Sequence, residues 1–166
     1  MSAKTRYWDS NVWLGLLNAE VDKVAACEDQ LERARQGEFK VVCSAITLAE
    51  VIWMRGPNLK KLPPTVNPKI EAFFKHDFIS VRTVDRAIGE KARRLVWEFE
   101  DTPEKLKPWD AVHVATAALL NIPILHTYDP DLLQLHGLVA CANGALLEIR
   151  KPPVPSMGDL FDATHN

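Results

Sequence analysis

Apolar and polar positions follow two rhythms along the chain: short strand-like runs, and longer stretches with apolar residues three or four apart. The first strand is predicted at Thr5–Trp8. It leads into a helix within DSNVWLGLLNAE, where Val12, Leu16 and Leu17 recur at helical spacing. A charged helix over Val21–Gln36 ends at Gly37, a natural helix stop. FKVVC reads as the second strand, and Ser44 caps a helix over SAITLAEVIWM, residues 44–54. Pro and Gly across Arg55–Pro68 predict a loop, followed by a short helix over Lys69–Lys75. FISV is the third strand and TVDRAIGEKARRLVWEFE a long amphipathic helix. Pro108 opens PWDAVHVATAALL, apolar almost all round and therefore buried. NIPILHT is the fourth strand and DPDLLQL a short helix, and LVAC with LLEI closes the sheet. Strands alternating with helices predict an α/β domain with a mainly parallel sheet over residues 1–150. The Pro-rich tail 151–166 is expected to be loose, with Leu160 and Phe161 able to dock.

A length of 166 residues fits one domain with its own core. The 20 Lys+Arg against 22 Asp+Glu exclude a polybasic protein that grips nucleic acid by bulk charge. Cys27, Cys43 and Cys141 lie far apart with no CxxC pair, so neither a structural zinc site nor a disulfide framework is expected. Reduced, buried thiols suit a reducing compartment. The amino-terminal MSAKTRYWDS does not read as a signal peptide, and no apolar run approaches the length of a membrane span. A cytoplasmic protein without membrane contact is expected.

The chemistry lies in four acids embedded in apolar surroundings. Asp9 follows the first strand, Glu50 sits mid-helix beside Ile46 and Trp53, Asp110 begins the most apolar helix, and Asp129 follows the fourth strand. Each has an ordinary explanation. Asp9 and Asp129 suit helix N-caps, Asp110 suits the positive end of a helix dipole, and Glu50 suits exposure or a buried Arg partner. Taken jointly they point elsewhere, because strand C-termini and the helix starts after them line the crevice of a doubly wound sheet. Carboxylates gathered there stay ionised together only around a cation, and hard oxygen donors select Mg²⁺ or Mn²⁺. That combination suits phosphate chemistry.

The segments YWDSNVWL, VVCSAITLAEV, PWDAVHVATAALL and ILHTYDPDLL resemble the four motifs of PIN-domain nucleases, in the same order. The match covers about residues 5–149, and the last two motifs are similar to those of VapC-type toxins of toxin–antitoxin pairs. The resemblance implies a three-layer αβα sandwich with a central, mainly parallel sheet. It also implies Mg²⁺- or Mn²⁺-dependent endoribonuclease activity that leaves a 5′-phosphate. It places the catalytic, metal-holding acids at Asp9, Glu50, Asp110 and Asp129, with Thr127 and Ser44 as their hydroxyl neighbours. A cognate VapB-like antitoxin is implied as partner, with an Arg set against the acids. The apolar surface for that partner is expected on the first helices at Trp13, Leu16, Leu17, Ile52 and Trp53. A homodimer stays open. The Pro/Lys loop Pro57–Pro68 and the tail beyond Ile149 depart from the short toxin pattern, which leaves the RNA target and the partner undetermined.

Around these acids, His113 stands one helical turn past Asp110 as a hydrogen-bond partner, and Ser10 is expected to cap the first helix. Asn11 serves either a phosphate or that cap. Asp131 reads as a solvated helix acid. Trp13, Trp53, Trp97 and Trp109 could stack bases, but the five Trp read as core or interface residues. The helix carrying Arg82, Arg86, Lys91, Arg93 and Arg94 could grip a phosphate backbone, but with Asp85, Glu90 and Glu98 interleaved it reads as a solvated face. A haloacid-dehalogenase-type phosphotransferase needs a second Asp where Asn11 stands. A receiver-like domain needs an acid at the end of the third strand, and Asp85 comes too late. The remaining alternatives are a housekeeping PIN nuclease and a catalytically silent PIN-like binding module.

Overall fold

The structure is a computed structural model that describes residues 4–51, 53–54, 60–61 and 64–155. Five strands form one parallel sheet: β1 (Thr5–Trp8), β2 (Lys40–Ser44), β5 (Ile79–Arg82), β6 (Ile124–His126) and β7 (Glu148–Arg150), in the spatial order β5-β2-β1-β6-β7. A separate antiparallel pair joins β3 (Trp53–Met54) to β4 (Lys60–Lys61). The helices are α1 (Ser10–Leu17), α2 (Val24–Arg35), α3 (Ala45–Glu50), α4 (Asn67–Phe73), α5 (Arg86–Phe99), α6 (Pro108–Leu119) and α7 (Pro130–Leu133).

Period-two alternation along the strands builds two cores. Tyr7, Val42 and Leu125 face one side, where α5 and α6 bring Leu95, Phe99, Val114 and Ala117. Trp8, Val41 and Cys43 face the other, where they meet Val12, Trp13 and Cys27 from α1 and α2. The result is the expected sandwich of helices on both faces of a parallel sheet. From β1 the chain first winds outward to β2 and β5, then returns across to β6 and β7. The winding therefore reverses between β1 and β6, and the strand C-termini at such a switch point open a crevice.

Several local expectations hold. Asp9 caps α1 by accepting from the Val12 N–H at 3.1 Å, and Ser44 caps α3 through the Ile46 N–H at 3.3 Å. Gly37 follows α2 at φ +87°, a conformation that favours glycine. Three boundaries are corrected. Residues 21–23 form turns, so α2 begins only at Val24. The helix after Ser44 stops at Glu50 rather than continuing to Met54. Val51 leaves helical geometry at ψ 59°, and Trp53–Met54 pairs as a strand with Lys60–Lys61 inside the predicted loop. The reason is the β-branched and aromatic run Val51-Ile52-Trp53, which favours extended chain once a pairing partner exists. LVAC forms no sheet strand: Ala140 makes only an isolated bridge to Leu146, and Glu148–Arg150 alone closes the sheet. Most of the predicted loop (55–59, 62–63) and the tail from 156, with Leu160 and Phe161, lie outside the described residues.

Cys27, Cys43 and Cys141 are free and buried. Among the described residues no helix is long and apolar enough to cross a membrane.

Candidate active site

At the β1/β6 switch point lies a crevice of about 530 Å³ lined by Asp9, Asn11, Glu50, Lys107, Trp109, Asp110, His113 and Asp129, with Ser10, Leu14 and Ala49 completing the wall. All four predicted acids therefore reach one hollow, delivered by four different elements. Asp9 ends β1, Glu50 is the last residue of α3, Asp110 lies in the first turn of α6, and Asp129 caps α7 by accepting from the Asp131 N–H at 2.9 Å. The capping roles and the crevice positions coincide, because a strand's end and the following helix's start share one residue.

Each carboxylate is held differently. Asp9 is fully enclosed and accepts from the Val12 N–H, from the Thr127 hydroxyl at 2.5 Å and from the Asn11 amide at 3.4 Å. Burial pushes its acid up; the charge of His113 and these hydrogen bonds pull the other way. Asp110 rises to about 6, chiefly through burial and then through the neighbouring charge of Asp129, with Asp9 adding to it. Glu50 stays below the ordinary carboxylate range. Burial pushes it up, but hydrogen bonds from His113 Nε2 (2.9 Å) and from the Ser10 hydroxyl outweigh that. Repulsion from neighbouring acids thus falls on Asp110, while Glu50 is held ionised by its own partners.

Among the described residues no three His, Cys, Asp or Glu side chains already form a metal-holding cluster. The donor set nonetheless fits a hard cation. Mg²⁺ and Mn²⁺ take hard oxygen donors and leave coordination positions to water, so the carboxylates need not be in contact with one another beforehand. The buried Asn11 Oδ1 lines the same hollow without a hydrogen-bond partner.

The other predicted site residues fall as follows. Thr127 donates to Asp9 and its hydroxyl also accepts from the Asp129 N–H at 2.9 Å, so it ties two of the acids together. His113 is buried and meets Glu50, whereas Ser44 caps α3 and lies outside the crevice wall. Ser10 does not cap α1; Asp9 does, and the Ser10 hydroxyl goes to Glu50. Asp131 pairs with Lys107 at 2.9 Å on the rim. Trp13 is fully buried and so is not exposed apolar surface, while Leu16 and Leu17 are partly buried. Ile52 and the side chain of Trp53 lie outside the described residues.

Tyr7 was not visible as a site residue, because an inward Tyr on a strand reads as core. The Ser44 N–H donates to its hydroxyl at 3.0 Å, and that hydroxyl lies 2.8 Å from His113 Nδ1. Burial pushes the phenol well above its ordinary value, so it keeps its proton while hydrogen-bonded to Nδ1. Because the ionised Glu50 can only accept, His113 Nε2 carries the proton that faces it. Tyr7→Phe is expected to strand the Ser44 N–H and His113 Nδ1. That should cost about 1–3 kcal/mol in urea unfolding and lower activity by about tenfold or more through a loosened Glu50. Unchanged stability and rate would show that the relay does not position Glu50.

A parallel sheet with an acidic crevice at its switch point defines the class of protein as α/β. Residues 6–138 match the sequence profile of the PIN domain, and the chain belongs to the PIN-domain family. No curated protein matches it. Among solved structures it is similar to a chain of a toxin–antitoxin complex from Klebsiella pneumoniae, at 19% identity and TM-score 0.52, covering 75% of this chain and 86% of that one. It is also similar to Mycobacterium tuberculosis VapC20, described as a toxin that cleaves the sarcin–ricin loop. There the identity is 16% and the TM-score 0.53, covering 76% of this chain and 91% of that one. At these identities the likeness concerns the fold.

Proposed function

We propose that this chain is a Mg²⁺- or Mn²⁺-dependent endoribonuclease of the VapC type, the toxin of a toxin–antitoxin pair, acting in the cytoplasm. The observation that carries the reading is the single crevice lined by Asp9, Glu50, Asp110 and Asp129, with the Asp110 acid pushed up to about 6. A silent binding module would gain nothing from such strained acids. Membership of the PIN family and the similarity to toxin structures support the same reading.

Asp9, Asp110 and Asp129 would hold the cation, with the Asn11 carbonyl beside them and Glu50 reached directly or through water. When bound, the cation supplies charge neutralisation and Lewis-acid polarisation of a phosphoryl oxygen. The chain supplies the rest. Glu50, ionised and fixed between His113 and Ser10, orients a water and accepts its proton. The water oxygen would bond to phosphorus in line as the P–O3′ bond breaks, and the departing 3′-oxygen would take a proton from solvent, giving a 3′-hydroxyl and a 5′-phosphate. Lys107 on the rim offers a cation to the incoming backbone. A cognate VapB-like antitoxin would cover this crevice with an Arg, whose fork pairs two carboxylate oxygens.

Purified protein should cut unpaired RNA with Mg²⁺ or Mn²⁺ and stop in EDTA, and its expression alone should slow growth. Full cleavage in EDTA would overturn the metal chemistry. Cleavage in vitro by a chain harmless in cells would favour a housekeeping nuclease over a toxin.

A further inference from the structure

Of the Trp residues whose side chains are described, Trp8 and Trp13 are fully buried, whereas Trp97 and Trp109 are 68% and 65% exposed. Trp8 and Trp13 are thus core residues, and the exposed pair is available to a partner. Trp109 stands on the wall of the acidic crevice. Trp97 lines a second hollow of about 270 Å³ between α5 and α6, with Gly89, Ala92, Arg93 and Val96 on one side and Pro108 and Val112 on the other. The two hollows flank the first turns of α6. Lys107 and Trp109 face the crevice, and Pro108 between them faces the groove. The groove is open at its floor, since a Cβ on Gly89 would meet no atom within 4 Å.

We propose that the α5–α6 groove is a second RNA-binding subsite continuous with the crevice, in which Trp97 and Trp109 stack unpaired bases and Arg93 meets the backbone. The inference rests on RNA being the substrate. Exposed aromatic faces beside a cation are the device that grips single strands, because every base has a face to stack and every linkage a charge. The Arg93 guanidinium lies 5.1 Å from the Trp97 ring centroid, which pre-positions both groups. On α5, Arg86 is paired with Glu90, while Lys91, Arg93 and Arg94 form a short basic cluster in the middle of the helix, away from the acids at its caps, Asp85 and Glu100. A strand whose scissile phosphate sits among the acids must leave across a wall of the crevice. The α6 wall is the aromatic one, and it opens onto the helix that carries that basic cluster.

The test uses Trp97→Ala and Trp97→Phe, substitutions at an exposed position outside the catalytic crevice. The substrates are a single-stranded oligonucleotide long enough to cover both hollows and a dinucleotide too short to leave the crevice. Trp97→Ala should raise KM for the long strand about tenfold. It should leave kcat and dinucleotide cleavage unchanged, and Trp97→Phe should restore most of the loss. Anisotropy of the labelled long strand in EDTA should show the same tenfold weakening, and a duplex of the same sequence should be indifferent to the substitution. If wild type binds the strand through Trp97 yet cuts nothing with Mg²⁺, the subsite stands and the nuclease reading fails. Unchanged KM and binding in Trp97→Ala overturn the subsite. A simultaneous fall from dimer to monomer in sedimentation would then assign the face to a second copy of the chain.

Discussion

Asp110→Asn is expected to reduce RNA cleavage by about 10²–10³-fold while leaving the metal-free protein as stable as wild type or more so. The acid of Asp110 rises from 3.8 to about 6 through burial and the charge of Asp129. The folded protein therefore binds that proton more tightly than the unfolded chain does. Stability from this group is lost as pH climbs from about 4 through 6, and at pH 7 the ionised carboxylate is a net burden. Two pKa units correspond to about 3 kcal/mol; screening at a half-buried site reduces that to roughly 1–2 kcal/mol. Against it stands the favourable position of an acid in the first turn of α6, about 0.3–1 kcal/mol. The balance favours Asn by about 1 kcal/mol. Thermal unfolding across pH 4–8 checks this, with the decline of wild type above pH 4 flattened in the variant. Added Mg²⁺ should raise the melting temperature of wild type and not of Asp110→Asn. A variant that melts lower and still cuts would make Asp110 a structural residue.

Asp9 should behave in the opposite way. Asp9→Ala removes the cap of α1, worth about 1–2 kcal/mol. It also strands the Thr127 hydroxyl and the Asn11 amide in an enclosed site, at about 1–3 kcal/mol. Removing a carboxylate whose acid is pushed up by burial returns part of that cost. A net destabilisation of about 2 kcal/mol is expected in urea unfolding, with cleavage lost. Asp9→Asn keeps the capping oxygen but turns an NH2 toward the Thr127 hydroxyl and the Asn11 amide, so it should lose cleavage with a smaller stability loss than Asp9→Ala, by about the 1–2 kcal/mol of the cap. The pair separates what Asp9 does for the helix from what it does for the site. Equal stability loss in both variants would mean that its charge, rather than its cap, holds the β1–α1 junction.

The contrast between these two acids explains how far reasoning from the sequence reached. All four carboxylates were identifiable because charge in apolar surroundings is costly, and all four line the crevice. Their mutual relation was not. Four acids repelling one another around a single point was the expectation, yet Glu50 is satisfied by His113 and Ser10, and Asp9 by Val12, Thr127 and Asn11. Only Asp110 is raised by its acidic neighbours as well as by burial. Hydrogen-bond partners decide which acid bears the strain, and residues such as Thr127 and His113 reach it only through folding.

The sequence by itself determined the features whose causes lie within a few residues. The strand and helix rhythms, the caps at Asp9, Ser44 and Asp129, and the stop near Gly37 depend on neighbouring backbone groups, so pattern and residue type suffice. Tertiary structure decided what depends on distant partners. The contact of Tyr7 with His113 spans 106 residues, and nothing near either position signals it. Helix α3 ends at Glu50 because Trp53–Met54 finds Lys60–Lys61 to pair with. Trp8 and Trp13 are buried while Trp97 and Trp109 face solvent, although all are equally apolar. Packing assigns these roles, since burial depends on what the rest of the fold places opposite each side chain.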